Sequence, residues 1–172
     1  MTGAAIELLE ALKPLTASPG YTRLLLLVGA PRTGKTAALR SLASETGWPI
    51  LALNMALAER LLAVPVAFRA SEVGDAVIDL AAAIPGDGLI VDNIELLFQP
   101  DLHVDPLALL RRLARNRVVV AAWPGRFRGD ELNYATPDHV EYRRYSSPGC
   151  AIVRAGPLHT PAPQPALQST TP

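Results

Sequence analysis

The stretch Leu24-Leu25-Leu26-Leu27-Val28-Gly29-Ala30-Pro31-Arg32-Thr33-Gly34-Lys35-Thr36 decides the fold. Its first part is a continuous apolar run followed by turn residues, which predicts a strand buried on both faces of a parallel sheet. The remainder, residues 29–36, matches the pattern G-x-x-x-x-G-K-[ST]. A helix is expected to begin within residues 34–36 and run to Thr46, where Gly47 can end it. A strand, a glycine-rich loop and a helix in this order predict an α/β domain.

The glycine-rich loop has the composition of a polyphosphate site. A loop that leaves a strand must wrap its N–H groups around a phosphate, so glycine is needed wherever a Cβ would intrude, here at Gly29 and Gly34. The next helix points its positive end at the same anion. The predicted nucleotide-binding residues are Gly29, Ala30, Pro31, Arg32, Thr33, Gly34, Lys35, Thr36 and Ala37. Lys35 would bridge the β- and γ-phosphates of ATP, and the Thr36 hydroxyl would be a ligand of Mg²⁺.

Two further observations favour this interpretation over an accidental glycine-rich turn. The strand and the helix both fall where the motif requires them. Only two of the sixteen basic residues are lysines, Lys13 and Lys35, so the motif keeps lysine in a chain that otherwise uses arginine.

Gly88-Leu89-Ile90-Val91-Asp92 has the form of a Walker B strand. Asp92 at its carboxyl end would hold Mg²⁺ through water, although an ordinary strand that ends in a loop aspartate is the alternative. Hydrolytic AAA+ proteins usually have a glutamate at the next position, where this chain has Asn93. An amide orients water but cannot accept its proton at neutral pH. Glu95 is the nearest general base, unless it is a solvated loop carboxylate, and hydrolysis is expected to be slow or partner-dependent.

The rest of the chain repeats strand and helix units, which implies a parallel sheet covered on both faces. Strands are predicted at 50–53, 89–91, 118–122 and 151–153. Helices are predicted before Pro14, from Asn54 as a cap to 62, at 71–84, and from Pro106 after the cap Asp105. Residues 124–150 are expected to be irregular. The P-loop domain would cover residues 1–155, and residues 156–172, rich in Pro, Ser and Thr, would be a disordered tail.

Composition excludes several function classes. The formal net charge is zero, so no global field favours nucleic acid or an anionic membrane. The apolar runs are too short for a membrane span, and the lone Cys150 fits a reducing cytoplasm. The three histidines lack metal-ligand spacing. Trp123 is expected to be a packed aromatic rather than a γ-phosphate sensor.

Four arginines and two tyrosines in the later part of the chain could serve a ligand. They are Arg126, Arg128, Arg143, Arg144, Tyr142 and Tyr145. The arginines are candidate arginine fingers or nucleic-acid contacts, although such pairs more often belong to a solvated surface. The tyrosines suit either stacking on a base or anchoring in the core.

Several segments together resemble the BrxF family, the small P-loop proteins of type 3 BREX phage-defence systems. The resemblance covers residues 21–154 and rests on 28–36, Val91-Asp92-Asn93-Ile94-Glu95-Leu96-Leu97-Phe98, Asp105-Pro106-Leu107, Arg115-Asn116-Arg117, Ala122-Trp123-Pro124-Gly125 and Glu141-Tyr142-Arg143-Arg144-Tyr145. It implies a cytoplasmic defence component that works beside a DNA methyltransferase and other BREX proteins. Arg32 stands where many AAA+ loops have glycine.

The sequence therefore predicts a P-loop NTPase three-layer sandwich. Its mostly parallel five-stranded sheet would have helices on both faces, in an AAA+-like core of the additional-strand class without the C-terminal helical lid. The expected activity is Mg²⁺-dependent ATP binding with ATP hydrolysis, for which Lys35, Asn93 and Glu95 are the catalytic candidates. A small-molecule kinase and a non-catalytic, nucleotide-dependent interaction module are the alternatives. Other BREX proteins, DNA and a second copy of the chain are the candidate partners.

Overall fold

The computed structural model describes residues 3–17 and 23–156. The helices are α1 (Gly3–Ala17), α2 (Lys35–Thr46), α3 (Leu53–Leu62), α4 (Arg69–Ala82) and α5 (Pro106–Leu113), with 3₁₀ turns at Val66–Phe68, Glu95–Phe98 and Pro100–Leu102. The strands are β1 (Leu24–Val28), β2 (Ile50–Ala52), β3 (Gly88–Asp92), β4 (Val118–Trp123), β5 (Gly125–Arg128), β6 (Glu131–Tyr134), β7 (Arg143–Ser146) and β8 (Ala151–Arg154).

Five of these strands form one parallel sheet in the order β2-β3-β4-β1-β8. Because all five run the same way, the carboxyl ends of β1, β3 and β4 meet at one edge. The strands β2, β3 and β4 lie on one side of β1, and β8 lies on the other. In open α/β sheets, ligands bind outside the carboxyl ends where the strand order reverses, which is the end of β1 here.

Helices cover both faces of this sheet. Alternate residues of a strand point to opposite faces, and β1 shows this directly. Leu25 and Leu27 pack with buried residues of α1 and α2, whereas Leu24 and Leu26 pack with α3, α4 and α5. The predicted α/β architecture, a parallel five-stranded sheet between two helical layers, is confirmed.

Two helix boundaries differ from the sequence prediction. Helix α1 continues past Pro14 to Ala17, because Leu15 packs against the core and contributes contacts that offset the proline's missing N–H. Asn54 is not a helix cap: α3 begins at Leu53, and the Asn54 side chain bonds elsewhere. The predicted tail of residues 156–172 lies outside the described residues except for Gly156. None of the helices in the described ranges is both long and apolar enough to cross a membrane.

The prediction of an irregular stretch over residues 124–150 was wrong. β5, β6 and β7 form a separate three-stranded antiparallel sheet, here called the small sheet. Each strand has four residues, too few for a clear alternating pattern. One face is anchored in the core by Phe127, Leu132 and Tyr145, which lie side by side in the register. The opposite face carries Arg126, Asn133 and Arg144 in one row.

Candidate functional site

Residues 29–34, here called the glycine loop, connect β1 to α2 at the carboxyl edge of the sheet. Gly29 is buried, and its N–H donates to the Trp123 carbonyl at 3.1 Å. A Cβ at Gly29 would lie 2.5 Å from Thr33 Oγ1, a hydroxyl that donates to the Ala30 carbonyl at 2.8 Å. Gly34 precedes α2 in the left-handed region with φ 82°. The loop is therefore closed on itself, and both motif glycines are required for its shape.

Lys35 folds back over the glycine loop. Its Nζ donates to the Gly29 carbonyl at 2.7 Å and to the Ala30 carbonyl at 2.8 Å. Burial lowers the pKa of Lys35, and the negative charges of Glu95 and Asp92 partly offset that effect. The ammonium therefore sits within the field of both acids, and a phosphate oxygen could replace the loop carbonyls as its acceptor.

Thr36 and Asp92 are in direct contact although 56 residues separate them. The Thr36 Oγ1 donates to Asp92 Oδ2 at 2.8 Å. The other carboxylate oxygen, Oδ1, accepts from the Asn93 N–H at 2.9 Å, and Asp92 is only 5% exposed. A buried carboxylate is rare unless it is paired or binds a cation. In the part of the chain that the structure describes, no three His, Cys, Asp or Glu side chains group as metal ligands.

Asn54 holds the segment that contains Asn93 and Glu95. Its backbone N–H donates to the Asn93 carbonyl at 2.8 Å. Its side-chain Oδ1 accepts from the Leu96 N–H at 2.9 Å, and its Nδ2 donates to Glu95 Oε2 at 3.2 Å. One signal in the sequence points to this role: Asn54 is a polar residue two positions after β2, whose last residue pairs with Asp92. The predicted role of Asn54 as a helix cap did not include these bonds.

Asn93 itself is exposed and has φ 55°. Its carboxamide therefore follows a sharp turn after β3, in a conformation that asparagine tolerates better than most residues. Glu95 is exposed as well, but its carboxylate is held by the bond from Asn54. Of Asn93 and Glu95, only Glu95 carries a negative charge, and that charge partly offsets the effect of burial on the pKa of Lys35.

Trp123 is a packed aromatic, as the sequence analysis expected. It is fully buried, and its indole Nε1 donates to the Asn133 carbonyl at 3.0 Å. Edge-to-face contacts join it to Phe98, with centroids 5.1 Å apart, and to Tyr145, at 5.7 Å. The indole N–H is thus hydrogen-bonded to the small sheet and is not available to a ligand.

The remaining candidates are on the small sheet or beside it. Arg126 and Arg128 are exposed on β5, and Arg144 pairs with Glu131. Arg143 donates to the Tyr142 carbonyl at 3.0 Å. Tyr145 is a core anchor, since its ring packs against the core beside Trp123, and its hydroxyl donates to Asp105 Oδ1 at 3.0 Å. That same oxygen accepts from the Ala108 N–H and caps α5.

The fold therefore brings Lys35, Thr36, Asp92 and Glu95 together at the mouth of the glycine loop. Pro31, Arg32 and Ala37 are exposed around it. The sequence analysis missed Asn54 among the residues of this site.

No protein-family model matches the sequence, and no curated protein is similar to it. Among solved structures, PCH-2 of C. elegans matches with a TM-score of 0.41 and 17% sequence identity. The match covers 70% of this chain and 37% of the PCH-2 chain, so this chain spans well under half of that protein.

Proposed function

We propose that the chain binds MgATP at the glycine loop and hydrolyses it slowly or on activation by a partner. The observation that carries the proposal is the 2.8 Å contact between Thr36 Oγ1 and Asp92 Oδ2. In P-loop proteins, a hydroxyl after the loop lysine and an aspartate at a strand end jointly hold Mg²⁺. Their contact here, beside the Lys35 ammonium, supports the same use.

The residues present fit this ligand. Mg²⁺ keeps several waters and needs only one or two protein groups plus phosphate oxygens, so Thr36 and Asp92 suffice without a larger cluster. Lys35 and the amides at the start of α2 supply positive charge for the phosphates. When bound, the metal would neutralise charge on the β- and γ-phosphates.

The hydrolytic part of the proposal rests on Glu95. A general base must lie within reach of the attacking water and be able to take its proton, which the Asn93 amide cannot do. Glu95 has the required carboxylate and is held by Asn54. Because Glu95 lies three residues beyond Asp92 and is exposed, a partner that shields it is expected to raise turnover.

The test is Mg²⁺-dependent ATP binding by titration calorimetry with Lys35→Ala and a matched control. Lys13→Ala is the control, since Lys13 is the chain's other lysine and pairs only with the exposed Glu10 on α1. Binding should be lost in Lys35→Ala and kept in Lys13→Ala. Equal affinity of Lys35→Ala and wild type would show that the site is elsewhere.

Product analysis separates the alternatives. Release of inorganic phosphate supports an ATPase, and transfer of the phosphoryl group to a metabolite would indicate a kinase. ATP binding without turnover, with and without partner proteins and DNA, would indicate a non-catalytic module.

We also propose that the chain is a cytoplasmic component of a phage-defence system. The resemblance of residues 21–154 to the BrxF family supports this role. In a host that carries the complete system, Lys35→Ala should restore phage plating and Lys13→Ala should not. Unchanged protection with Lys35→Ala would separate the defence role from the nucleotide site.

Duplex DNA is the ligand we propose for the small sheet. Its outer face carries three arginines, Arg126, Arg128 and Arg144. Glu131 is the one acidic residue that its strands place on that face. Arg126 and Arg128 form no ion pair with any residue in the described ranges. Exposed guanidinium groups on a flat face suit phosphate contacts.

A further inference from the structure

Arg32 occupies a backbone conformation that its residue type disfavours. It lies in the glycine loop with φ 64°, in the left-handed region. A side chain with a Cβ rarely adopts this conformation, whereas glycine adopts it without penalty. When a non-glycine residue persists in such a conformation, strain of this kind points to a function of the side chain.

The guanidinium of Arg32 makes no hydrogen bond or ion pair with the residues that the structure describes. The side-chain hydrogen bonds to the glycine loop come from Thr33 and Lys35, and the Arg32 side chain makes none of them. Its side chain is exposed. Of the acids at the site, Asp92 bonds to Thr36 and Glu95 bonds to Asn54. Within residues 3–17 and 23–156, Arg32 is therefore a cation in a strained conformation without an ion pair.

We propose that Arg32 is a catalytic arginine supplied by the loop itself, which contacts the terminal phosphate of bound ATP. The proposal rests on the proposed function. The loop amides would enclose one phosphate of ATP, and an arginine of the same loop is long enough to reach the neighbouring phosphate. Guanidinium is the side-chain group best matched to phosphate, because its planar donors bind two oxygens at once.

Two consequences follow for the reaction. Arg32 favours the triphosphate over the diphosphate, because only ATP presents the terminal group. In hydrolysis, the oxygen of water bonds to the terminal phosphorus, the bond from phosphorus to the ADP oxygen breaks, and the proton of water leaves to Glu95 or solvent. Arg32 neither gives nor takes a proton; its hydrogen bonds stabilise the charge on the phosphoryl oxygens.

The test compares ATP and ADP affinities, with Mg²⁺, in wild type, Arg32→Ala, Arg32→Lys and Arg40→Ala. Arg40 is an exposed arginine on α2 and serves as the control for loss of one positive charge. In Arg32→Ala the ratio of ATP to ADP affinity should fall about tenfold or more, with ADP affinity changed less than about twofold. Arg32→Lys should recover part of the ratio, and Arg40→Ala should match wild type.

Arg32→Gly adds a readout that does not involve nucleotide. If the side chain is retained for function, the free Arg32→Gly protein should melt at the same temperature as wild type or higher, because glycine removes the strain. A lower melting temperature would mark Arg32 as a structural residue and overturn the proposal.

The outcomes separate this inference from the proposed function. If wild type binds ATP and Arg32→Ala keeps the wild-type ratio, Arg32 does not contact the terminal phosphate. If ATP and ADP lose affinity equally, the side chain contacts the adenosine or shapes the loop, which also overturns the proposal. If wild type binds neither nucleotide, the proposed function fails and this inference fails with it.

Discussion

Asn54 fixes the position of the carboxylate on which the proposed hydrolysis depends. It makes three hydrogen bonds to the residues after β3, two from its side chain and one from its backbone. Glu95 is otherwise exposed. Asn54 is therefore a positioning residue, which acts on water through Glu95 rather than directly.

Removing either side chain should separate these roles. Glu95→Gln should abolish most ATP turnover, by roughly a hundredfold or more, because the general base is lost. Asn54→Ala should lower kcat about tenfold and leave KM nearly unchanged, because Glu95 loses the hydrogen-bond donor that positions it. Steady-state kinetics measure both effects. Unchanged turnover in Glu95→Gln would remove Glu95 as the base.

Cys150 gives a prediction about pH. Burial raises the pKa of its thiol from 9.0 to about 11, and Arg111 partly opposes the shift. A pKa raised by folding contributes stability that is present below the unfolded value and lost as the pH rises through the folded value. Between pH 9 and about 11, the wild type should therefore lose about 1 to 2 kcal/mol more than Cys150→Ala.

Urea unfolding of both proteins at several pH values in that window measures the difference. The native thiol should also react with iodoacetamide at pH 8 much more slowly than the unfolded thiol. Equal rates in buffer and in urea would contradict the buried environment.

For individual residues, the sequence predicted those of the glycine loop but not the contacts that support them. Lys35, Thr36 and Asp92 could be singled out because a short spacing and a strand end identify them. Asn54 could not be singled out in this way. Its partners Glu95 and Leu96 are 41 and 42 positions away, and only the pairing of β2 with β3 brings them close. The backbone conformation of Arg32 could not be predicted either, because the motif accepts any residue at that position.

Among the secondary-structure elements, the small sheet depends on a close approach between the backbone at Gly125 and the Asn133 carbonyl. Gly125 follows β4, and a Cβ there would lie 1.8 Å from the Asn133 carbonyl oxygen and 2.8 Å from Trp123 Nε1. These two groups are hydrogen-bonded to each other at 3.0 Å. The absent side chain is thus what lets β5 turn out of the main sheet and pair with β6.

Gly125→Ala should therefore destabilise the protein by about 3 kcal/mol or more, because backbone must move and a buried hydrogen bond breaks. Gly74→Ala is the matched control. Gly74 lies within α4, where a Cβ would have one ordinary contact, 3.8 Å from an Arg112 nitrogen. That change should stabilise the protein by about 0.5 to 1 kcal/mol. Denaturant unfolding compares the two, and a neutral Gly125→Ala would disprove the close approach.

Elements with a strong apolar signal were predictable, and those without one were not. The runs in β1, β3 and β4 are buried along their whole length, so hydrophobicity alone located them. β5 and β7 are half arginine, with only Phe127 and Tyr145 as large apolar residues in their interiors. Tyr145 contacts Trp123 of β4, and Phe98 stacks on Tyr134 of β6, so the small sheet packs against residues from other parts of the chain.

For the whole molecule, the formal net charge of zero places a constraint on DNA binding. Affinity for phosphates comes from cations that replace counterions, so a chain without net charge must concentrate its cations locally. The outer face of the small sheet is such a place. Its arginines exceed its acids by two, namely Arg126, Arg128 and Arg144 against Glu131.

Replacing Arg126 and Arg128 by alanine should weaken binding to a short DNA duplex about tenfold or more near 0.1 M salt. The slope of log affinity against log salt should fall by about 2, because each lost phosphate contact removes about 0.9. Both quantities come from fluorescence anisotropy titrations at several salt concentrations. The sequence of the duplex should matter little, because contacts to phosphates carry no base information.

The control for this prediction must remove the same charge from a different surface. Arg40→Ala with Arg115→Ala does so, because both arginines are exposed, on α2 and after α5, and neither belongs to a strand of the small sheet. If binding responded only to net charge, both double variants would weaken it equally. If the outer face of the small sheet contacts the duplex, the control should stay within about twofold of wild type and keep its salt slope. Equal effects in the two variants would disprove the DNA face, and the ATP test at Lys35 would be unaffected.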